Sequence, residues 1–258
     1  MLSDAEIGSF VSDGFVLMRG AVPAPLAAEC ADLLWAAIEP VPADPATWRN
    51  PVEWVGGLMD EPFTAAANRP VLAEAFDQLV GRGRWKPRRG MGSFPIRFPH
   101  EVEPNDAGWH IEGSYESPHG SGYWTNVRSR DRVLLMLFLF SEIDERDAPT
   151  RIRVGSHHDV PEVLQPYGEV GASAMTIGPL VEEASAKRPT VLATGSPGDV
   201  YLCHPFLVHA AQPHHGRRPR LLGQPPLQPK EQLQLHRHDG NYSIVEATIR
   251  DALPRKPA

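Results

Sequence analysis

The chain has 258 residues, of which 41% are hydrophobic and 22% are charged, and its formal net charge is −7. This length suits one large domain or two small ones, and the apolar share is sufficient for a buried core, which excludes a disordered chain. The excess of Asp and Glu over Lys and Arg argues against a surface that coats nucleic acid, because neutralising phosphates requires clustered cations.

Cysteine content and apolar runs argue against the secreted and membrane classes. Cys30 and Cys203 are too few for a disulfide framework, and the N-terminal residues do not have the pattern of a signal peptide. The most apolar run, residues 133–140, has only eight residues, far fewer than a membrane span needs. We therefore expect a cytoplasmic, globular protein without a nucleic-acid or membrane partner.

The first 85 residues are predicted to be mainly helical. A capping box at residues 3–6 begins a first helix, Gly14 ends it, and the apolar run 15–18 suits a buried strand. Apolar residues recur at helical spacing over residues 25–40 and again over 71–80. The sequence therefore predicts three helices and one strand in this part of the chain.

The segment 41–62 has no clear periodicity and contains Trp48 and Trp54. A structureless connection of this length is uncommon in a compact domain unless it is functional. Two interpretations stay open: a lid that closes over a substrate, or a surface excursion that packs both tryptophans onto the rest of the domain.

From about residue 90 onward, short strand-like segments replace the helical pattern. The continuous apolar run 133–140 fits a strand that is buried on both faces. Further strands are predicted at residues 150–154, 190–193, 200–203, 207–210 and 220–223, and a second capping box at 243–246 begins a final helix. Short strands preceded by helices predict an antiparallel sandwich or barrel faced by helices.

Histidines concentrate in two parts of the chain. His110 lies two positions before Glu112, and residues two apart on a strand project from the same face, so an imidazole and a carboxylate would converge there. A third ligand must come from a distant strand, and a second cluster can supply it: His204, His209, His214 and His215. Two histidines and one carboxylate leave coordination positions open, as in non-haem Fe(II) oxygenases, whereas a structural zinc site would require four protein ligands.

Arg220 lies eleven positions after His209. An arginine on a strand that faces the distal histidine offers a bidentate fork for a carboxylate. Taken alone, each signal also has an ordinary explanation. The His-x-Glu pair can arise by chance, the histidines of the second cluster can be solvated loop residues, and Arg220 can be an ordinary cation at a strand edge. The joint pattern is what favours a metal site.

A set of short motifs follows one order over roughly residues 3 to 250: Asp13-Gly14-Phe15, Trp109-His110-Ile111-Glu112-Gly113, Gly155-Ser156-His157, Gly198-Asp199-Val200, His209 and Arg220. With these motifs in this order, the chain resembles the phytanoyl-CoA dioxygenase family of Fe(II)- and 2-oxoglutarate-dependent oxygenases. The resemblance implies a mainly β fold with flanking helices, namely a double-stranded β-helix (a cupin-like jelly roll). It also implies a single oxygenase domain over 1–258, with a helical part over about 1–85, a jelly-roll core over about 90–225 and a C-terminal helix over about 243–252.

The resemblance also assigns roles to site residues. It implies that His110, Glu112 and His209 are the catalytic Fe(II) ligands, and that Arg220 grips the distal carboxylate of 2-oxoglutarate. Thr150, on the preceding predicted strand, is a further candidate for holding this co-substrate.

Two other histidines fit the ligand role less well, and the carboxylate differs from the one usual in the family. His204 competes with His209, but Arg220 would then lie sixteen positions on, which does not fit the spacing of the family. His157 falls in a turn where the family's histidine is usually structural. The family usually has aspartate where this chain has Glu112, and this longer carboxylate still fills the position that halogenases of this type leave open for chloride.

The implied reaction is that of a dioxygenase: with O2 and 2-oxoglutarate it hydroxylates an unactivated C–H bond of a small-molecule metabolite and releases succinate and CO2. Desaturation, epoxidation and ring closure stay open, and so does the choice between a monomer and a homodimer. Candidate substrate contacts near the site are Arg97, Phe98, Trp109, Tyr115 and Trp124, with Arg128 as a second anion partner. Aromatic residues in such a setting more often serve packing than recognition.

Two functions other than that of an oxygenase stay open. One is a Zn- or Mn-dependent isomerase or hydrolase on the same barrel, and Arg220 argues against it because such enzymes need no clamp for 2-oxoglutarate. The other is a non-catalytic jelly-roll binding module, and the intact set of candidate ligands argues against it.

Overall fold

The structure is a computed structural model that describes residues 1–254. Its α-helices are α1 (Asp4–Asp13), α2 (Ala24–Ala36), α3 (Glu61–Ala67), α4 (Pro70–Val80), α5 (Val160–Leu164), α6 (Ala174–Ala184) and α7 (Ile244–Ala252). Its strands are β1 (Phe15–Met18), β2 (Val52–Val55), β3 (Phe94–Arg97), β4 (Tyr115–Glu116), β5 (Tyr123–Thr125), β6 (Leu134–Leu139), β7 (Thr150–Arg153), β8 (Ala172–Ser173), β9 (Thr190–Ala193), β10 (Val200–Cys203), β11 (His209–Ala210), β12 (Leu222–Gly223) and β13 (Pro226–Leu227). Single 3-10 turns lie at Pro45–Thr47, Ser156–His158 and Gln165–Tyr167.

Both predicted capping boxes are present, and they fix where two helices begin. At α1, the Glu6 N–H donates to Ser3 Oγ at 3.3 Å and the Ser3 N–H donates to Glu6 Oε2 at 2.7 Å. At α7 the same exchange joins Ser243 and Glu246. Gly14 ends α1 in the left-handed conformation with φ 87°, which glycine adopts without steric cost.

Two antiparallel sheets face each other and form the core. The larger sheet has the strand order β1-β10-β6-β12, with β13 also paired to β6, and the smaller sheet has the order β11-β7-β9. Leu135 and Leu137 of β6 pack in one cluster with Ile152 and Ala193 of the smaller sheet. Two further sheets, β2-β3 and β4-β5-β8, and four isolated bridges complete the set of pairings among the described residues.

Strand β6 is buried along its whole length because both of its faces are covered. One face packs against the smaller sheet, while Met136 and Phe138 on the other face belong to a cluster with Phe63 of α3 and Phe76 of α4. A strand covered on both faces shows a continuous apolar run instead of alternation. The prediction of a doubly buried strand here is therefore confirmed.

The segment 41–62 is more regular than its sequence indicates. It contains a 3-10 turn and strand β2, and β2 pairs with β3 in the register that places Val52 opposite Arg97. The Trp48 indole donates to the Val41 carbonyl at 3.0 Å and its ring packs on Phe98, whereas Trp54 is 61% exposed. Because β2 is hydrogen-bonded into a sheet, the prediction of a structureless loop is corrected, and only one of the two tryptophans packs inward.

Several elements differ in extent from the predictions. The strand predicted over 207–210 is limited to β11, and the one over 220–223 is limited to β12 with a bridge at Arg220. Helices α3, α5 and α6 and strands β2, β3, β4, β5, β8 and β13 have no counterpart among the predictions. Within residues 1–254, none of the helices combines the length and the apolar character that a membrane crossing requires.

His157 joins the end of α1 to the barrel. Its Nε2 lies 3.1 Å from the Val11 carbonyl, and its ring packs against His158 and His204 with centroid distances of 3.9 and 4.8 Å. Burial, together with the neighbouring His158, lowers the pKa of His157 from 6.5 to about 3. This histidine is therefore neutral in the folded protein and has a structural position, as the resemblance implied.

We expect the protein to lose stability in mild acid because of His157. Its folded pKa lies below its unfolded value, so the unfolded state binds the extra proton, and the stability present above pH 6.5 decreases as the pH falls toward 3. From about pH 7.5 to about pH 5 this imidazole should lower the free energy of unfolding by about 2 kcal/mol. Urea unfolding should show a smaller loss in His157→Gln, whereas the exposed His236→Gln should lose as much stability as the wild type. An equal loss in all three proteins would contradict this prediction.

Candidate metal centre

His110 and His209 are placed opposite each other by a backbone bridge. Each N–H donates to the other residue's carbonyl at 3.0 Å, which joins the irregular segment before β4 to strand β11. Residues directly opposite in an antiparallel pair project from the same face, and the two imidazole rings lie 4.6 Å apart. Glu112 follows His110 by two positions, outside any strand, and its carboxylate turns back toward His209.

The orientation of both imidazoles is fixed by backbone carbonyls. The Nδ1 atom of His110 lies 2.8 Å from the Gly108 carbonyl, and that of His209 lies 3.0 Å from the Leu207 carbonyl. These distances assign the proton to Nδ1 in each ring, which leaves Nε2 with a free lone pair. His209 Nε2 is buried, lies 3.5 Å from Glu112 Oε1 and has no hydrogen-bond partner among residues 1–254.

These three side chains suit a divalent metal ion. One ligand atom from each of His110, Glu112 and His209 lies within 4.8 Å of the others, and no other group of this kind occurs in the described part of the chain. Two imidazole nitrogens and one carboxylate oxygen are the donor set of open non-haem iron sites. A buried nitrogen without a hydrogen-bond partner lowers the stability of the folded protein. A metal ion bound to Nε2 would remove this cost.

The protonation states also suit metal binding. Burial raises the pKa of Glu112, but the permanent charge of Arg132 opposes this effect, and the carboxyl pKa stays well below its ordinary value. Burial and the neighbouring His209 lower the pKa of His110. At neutral pH the carboxylate is ionised and the His110 imidazole is neutral, as ligands must be.

The remaining histidines of the second cluster lie elsewhere. His204 is fully buried beside Phe10, and its Nε2 contacts Thr248 Oγ1 at 3.1 Å. His214 directs its Nε2 at the Arg218 carbonyl at 2.8 Å. Only His209 of this cluster faces His110, in agreement with the choice that the spacing to Arg220 favoured.

Arg132 lies behind Glu112, and the sequence analysis did not identify it. Its Nη2 is 3.8 Å from Glu112 Oε2 and donates to the Gly113 carbonyl at 3.3 Å, while the residue is only 8% exposed. Nothing in its sequence context distinguishes it from the neighbouring Arg128 and Arg130. Its position indicates that it orients the carboxylate.

Replacing Arg132 with glutamine should therefore weaken metal binding. Partners that orient a ligating side chain are typically worth about 10- to 100-fold in metal affinity, and the long contact here suggests about ten-fold. Competition for Fe(II) against a coloured chelator measures the effect. The matched control is Arg130→Gln, since Arg130 stacks on Tyr115 instead of contacting Glu112. Equal affinities in both variants would show that Arg132 does not act on the carboxylate.

The candidate ligands share a cavity of about 200 Å³ with Arg220, Thr150 and Arg97. Arg220 is 1% exposed; its Nη1 donates to the Ala148 carbonyl at 2.7 Å and its Nη2 to the Pro95 carbonyl at 3.3 Å. Its Nε has no partner within residues 1–254. The guanidinium is thus held rigidly at the cavity wall with donor capacity left for a carboxylate.

The backbone also contributes to the position of Arg220. Ala148, whose carbonyl accepts from Arg220, has φ 51° and so lies in the left-handed region that residues other than glycine rarely adopt.

Burial, together with the neighbouring Arg97, lowers the pKa of Arg220. An anion bound beside these two cations would be strongly favoured.

Four predicted aromatic contacts and one arginine lie away from this cavity, which corrects their placement at the site. Phe98 is fully buried against Trp35 and Trp48, with ring centroids 6.0 and 5.5 Å apart. Trp109 lies under the guanidinium groups of Arg151 and Arg153. As the immediate neighbour of His110, it projects to the opposite side of the chain.

The other three lie on or beside the β4-β5 hairpin. Tyr115 is buried, with its hydroxyl donating to the Val170 carbonyl, and Trp124 packs on His119. Arg128 forms an ion pair with Glu169 at 3.1 Å. Conversely, the cavity is lined by Asp106 and Gln224, which no sequence signal singled out, and by Trp54 from the segment interpreted as a possible lid.

Known proteins are similar to this chain in sequence pattern and in fold. The sequence model of phytanoyl-CoA dioxygenase (PhyH) matches residues 10–222, and no curated protein matches the chain significantly. The chain is similar to the crystal structure of HygX from Streptomyces hygroscopicus with nickel and 2-oxoglutarate bound, at 16% identity over 91% of each chain with a TM-score of 0.58.

Two proteins of nogalamycin biosynthesis are also similar. The epimerase SnoN, in complex with Fe3+, alpha ketoglutarate and nogalamycin RO, has 17% identity over 86% of this chain and 81% of that chain, with a TM-score of 0.57. The carbocyclase SnoK has 14% identity over 93% of this chain and 89% of that chain, with a TM-score of 0.53. At these identities the likeness concerns the fold, and it confirms the predicted mostly β, cupin-like jelly roll with several helices.

Proposed function

The chain belongs to the phytanoyl-CoA dioxygenase family of non-haem iron and 2-oxoglutarate-dependent oxygenases, and we propose that its reaction is the hydroxylation of an unactivated C–H bond in a small-molecule metabolite. Iron and 2-oxoglutarate supply the oxidising chemistry in this family, which consumes O2 and releases succinate and CO2. The chain would act as one catalytic domain.

Within this proposal His110, Glu112 and His209 hold the iron. Their donor atoms converge, and both imidazoles have Nε2 available for the metal. The carboxylate is ionised at neutral pH because the pKa of Glu112 is lowered. The three ligands would occupy one side of the ion and leave the other side open to the cavity.

Arg220 and Thr150 would hold the co-substrate. Arg220 lies on the wall of the same cavity as the three ligands, with its guanidinium fixed by two backbone carbonyls. A buried, pre-oriented guanidinium binds a carboxylate at little entropic cost. This combination carries the proposal: three metal ligands and a partly unpartnered buried arginine in one small cavity.

The small-molecule nature of the substrate is supported by similar proteins. The titles of the HygX and SnoN structures name hygromycin B and nogalamycin RO as bound molecules, and both are small molecules. The present cavity of about 200 Å³ is small, so the bulk of a substrate would extend out of it past the exposed Trp54.

The decisive experiment mixes anaerobic protein with Fe(II) and 2-oxoglutarate and records the visible spectrum. We expect a weak charge-transfer band that needs both additions, and formation of succinate when air is admitted. A Zn- or Mn-dependent isomerase or hydrolase, or a non-catalytic binding module, should give neither signal. Absence of both from metal-loaded, folded protein would overturn the proposal.

A further inference from the structure

Arg97 is a buried cation in the cavity whose donors are mostly unused. It lines the cavity with only 2% of its surface exposed, and one of its nitrogens, Nη2, pairs with Asp106. Its Nε and Nη1 have no hydrogen-bond partner among residues 1–254. Leaving charged donors buried and unpaired is unfavourable, so a ligand group at this position would be strongly bound.

Arg97 and Arg220 lie side by side. Their backbones form a bridge in which the Arg97 N–H donates to the Arg220 carbonyl at 3.1 Å and the Arg220 N–H donates to the Arg97 carbonyl at 2.8 Å. Residues paired in this way project from one face, and like charges directly opposite each other repel. The single carboxylate of Asp106 contacts only Arg97, so it relieves this repulsion incompletely.

Within the proposed function, one of the two guanidinium groups is enough for the co-substrate. In the proposed complex, 2-oxoglutarate has one carboxylate at the metal and one distal carboxylate, and Arg220 takes the distal one. A carboxylate accepts a single bidentate fork well, so the Nε and Nη1 donors of Arg97 remain free for a different anionic group.

The surroundings of Arg97 indicate which molecule carries that group. Strand β2 places Val52 opposite Arg97, and Trp54 projects from the same face two positions further along. Trp54 is 61% exposed and lines the same cavity, whereas Arg220 is almost fully buried. Arg97 therefore lies between the co-substrate arginine and an indole that lines the cavity and faces solvent.

We propose that the primary substrate is a carboxylic acid whose carboxylate binds Arg97 and whose flat or apolar part contacts Trp54. This inference rests on the proposed function, since it requires Arg220 to be occupied by 2-oxoglutarate. Asp106 has a positioning role, because its carboxylate holds Nη2 and leaves Nε and Nη1 without a partner among residues 1–254.

The test uses full-length protein loaded with Zn(II), which is diamagnetic and redox-inert, and saturated with 2-oxoglutarate. Binding of matched pairs of acids and primary amides is measured by ligand-observed NMR and calorimetry: phenylacetate with phenylacetamide, 3-phenylpropionate with its amide, and indole-3-acetate with its amide. We expect at least one acid to bind about ten-fold more tightly than its amide, as charge-assisted hydrogen bonds to a buried guanidinium require.

Variants assign the preference to Arg97. In Arg97→Gln the acid should lose its advantage over the amide, while the affinity for 2-oxoglutarate should fall by no more than about ten-fold, because Arg97 attracts the bound anion at Arg220 without holding it. Arg97→Lys should retain part of the preference for the acid. Such a partial retention would show that the loss in Arg97→Gln is not caused by misfolding. Trp54→Ala should weaken acid and amide alike, and the control Arg128→Gln, which alters an arginine paired with Glu169, should change neither.

Three results would overturn the inference: no acid preferred over its amide, a preference that survives in Arg97→Gln, or a loss of 2-oxoglutarate affinity in Arg97→Gln as large as in Arg220→Leu. The last result would place Arg97 in the co-substrate site instead. Failure of the proposed function is distinguishable, because it appears first, as absence of 2-oxoglutarate binding to the metal-loaded wild-type protein.

Discussion

Replacing His209 with alanine should abolish iron-dependent turnover of 2-oxoglutarate, and replacing His110 should do the same. Each substitution removes one of only three candidate protein ligands, and no nearby histidine can take its place, since His204 and His214 are bonded elsewhere. Loss of a direct ligand should lower the Fe(II) affinity more than loss of a residue that only supports a ligand. We therefore expect the Fe(II) affinity to fall by more than about 100-fold. Succinate formation should fall below detection.

The matched control is His215→Ala, because His215 is exposed and lies in the same segment as His209. This variant should bind Fe(II) and form succinate like the wild type. Circular dichroism separates loss of metal from loss of fold, since the backbone bridge between positions 110 and 209 does not depend on the side chains. Full turnover in His110→Ala or His209→Ala would show that the ligand assignment is wrong.

Replacing Arg220 with leucine should raise the dissociation constant for 2-oxoglutarate by at least about 100-fold, because two charge-assisted hydrogen bonds to the co-substrate would be lost. The affinity for Fe(II) alone should change little, since Arg220 contacts none of the three ligands directly. Calorimetric titration of the Zn(II)-loaded protein with 2-oxoglutarate measures the effect without turnover.

Arg220→Lys keeps the charge but not the planar fork, and we expect it to recover only part of the affinity. The control is Arg217→Leu, because Arg217 is exposed and lies three positions away. If Arg220→Leu bound 2-oxoglutarate as tightly as Arg217→Leu, the clamp would have to be another group, and Arg97 is the only other arginine lining the cavity within residues 1–254.

The sequence predicts those parts of the site that depend on local spacing. His110 and Glu112 are two positions apart, so their convergence needs only a short extended segment. His209 and Arg220 were chosen by their mutual distance and by the order of the family's motifs, and both lie on the cavity. The capping boxes at Ser3 and Ser243 are local in the same sense.

The remaining parts depend on contacts between distant segments. Trp54 lines the cavity because β2 pairs with β3, and the sequence of β2 does not identify its partner strand. Arg97 was predicted as a substrate contact and does line the cavity, but its pairing with Arg220 was not predicted. Arg132 contacts Glu112 from a turn whose sequence has no pattern that marks a site residue. Helix α6 escaped prediction because Gly178 and Pro179 interrupt its pattern, although Pro179 is tolerated inside it.

The backbone bridge between His110 and His209 would couple iron binding to the stability of the segment that precedes β4. Apart from the bridge at His110, residues 98–114 contain no strand or helix, and two of the side chains that would bind iron sit at the same point of attachment. Iron would therefore cross-link this segment to the barrel, and its loss would leave the segment more open to proteases. Iron starvation should then reduce the amount of enzyme as well as its rate.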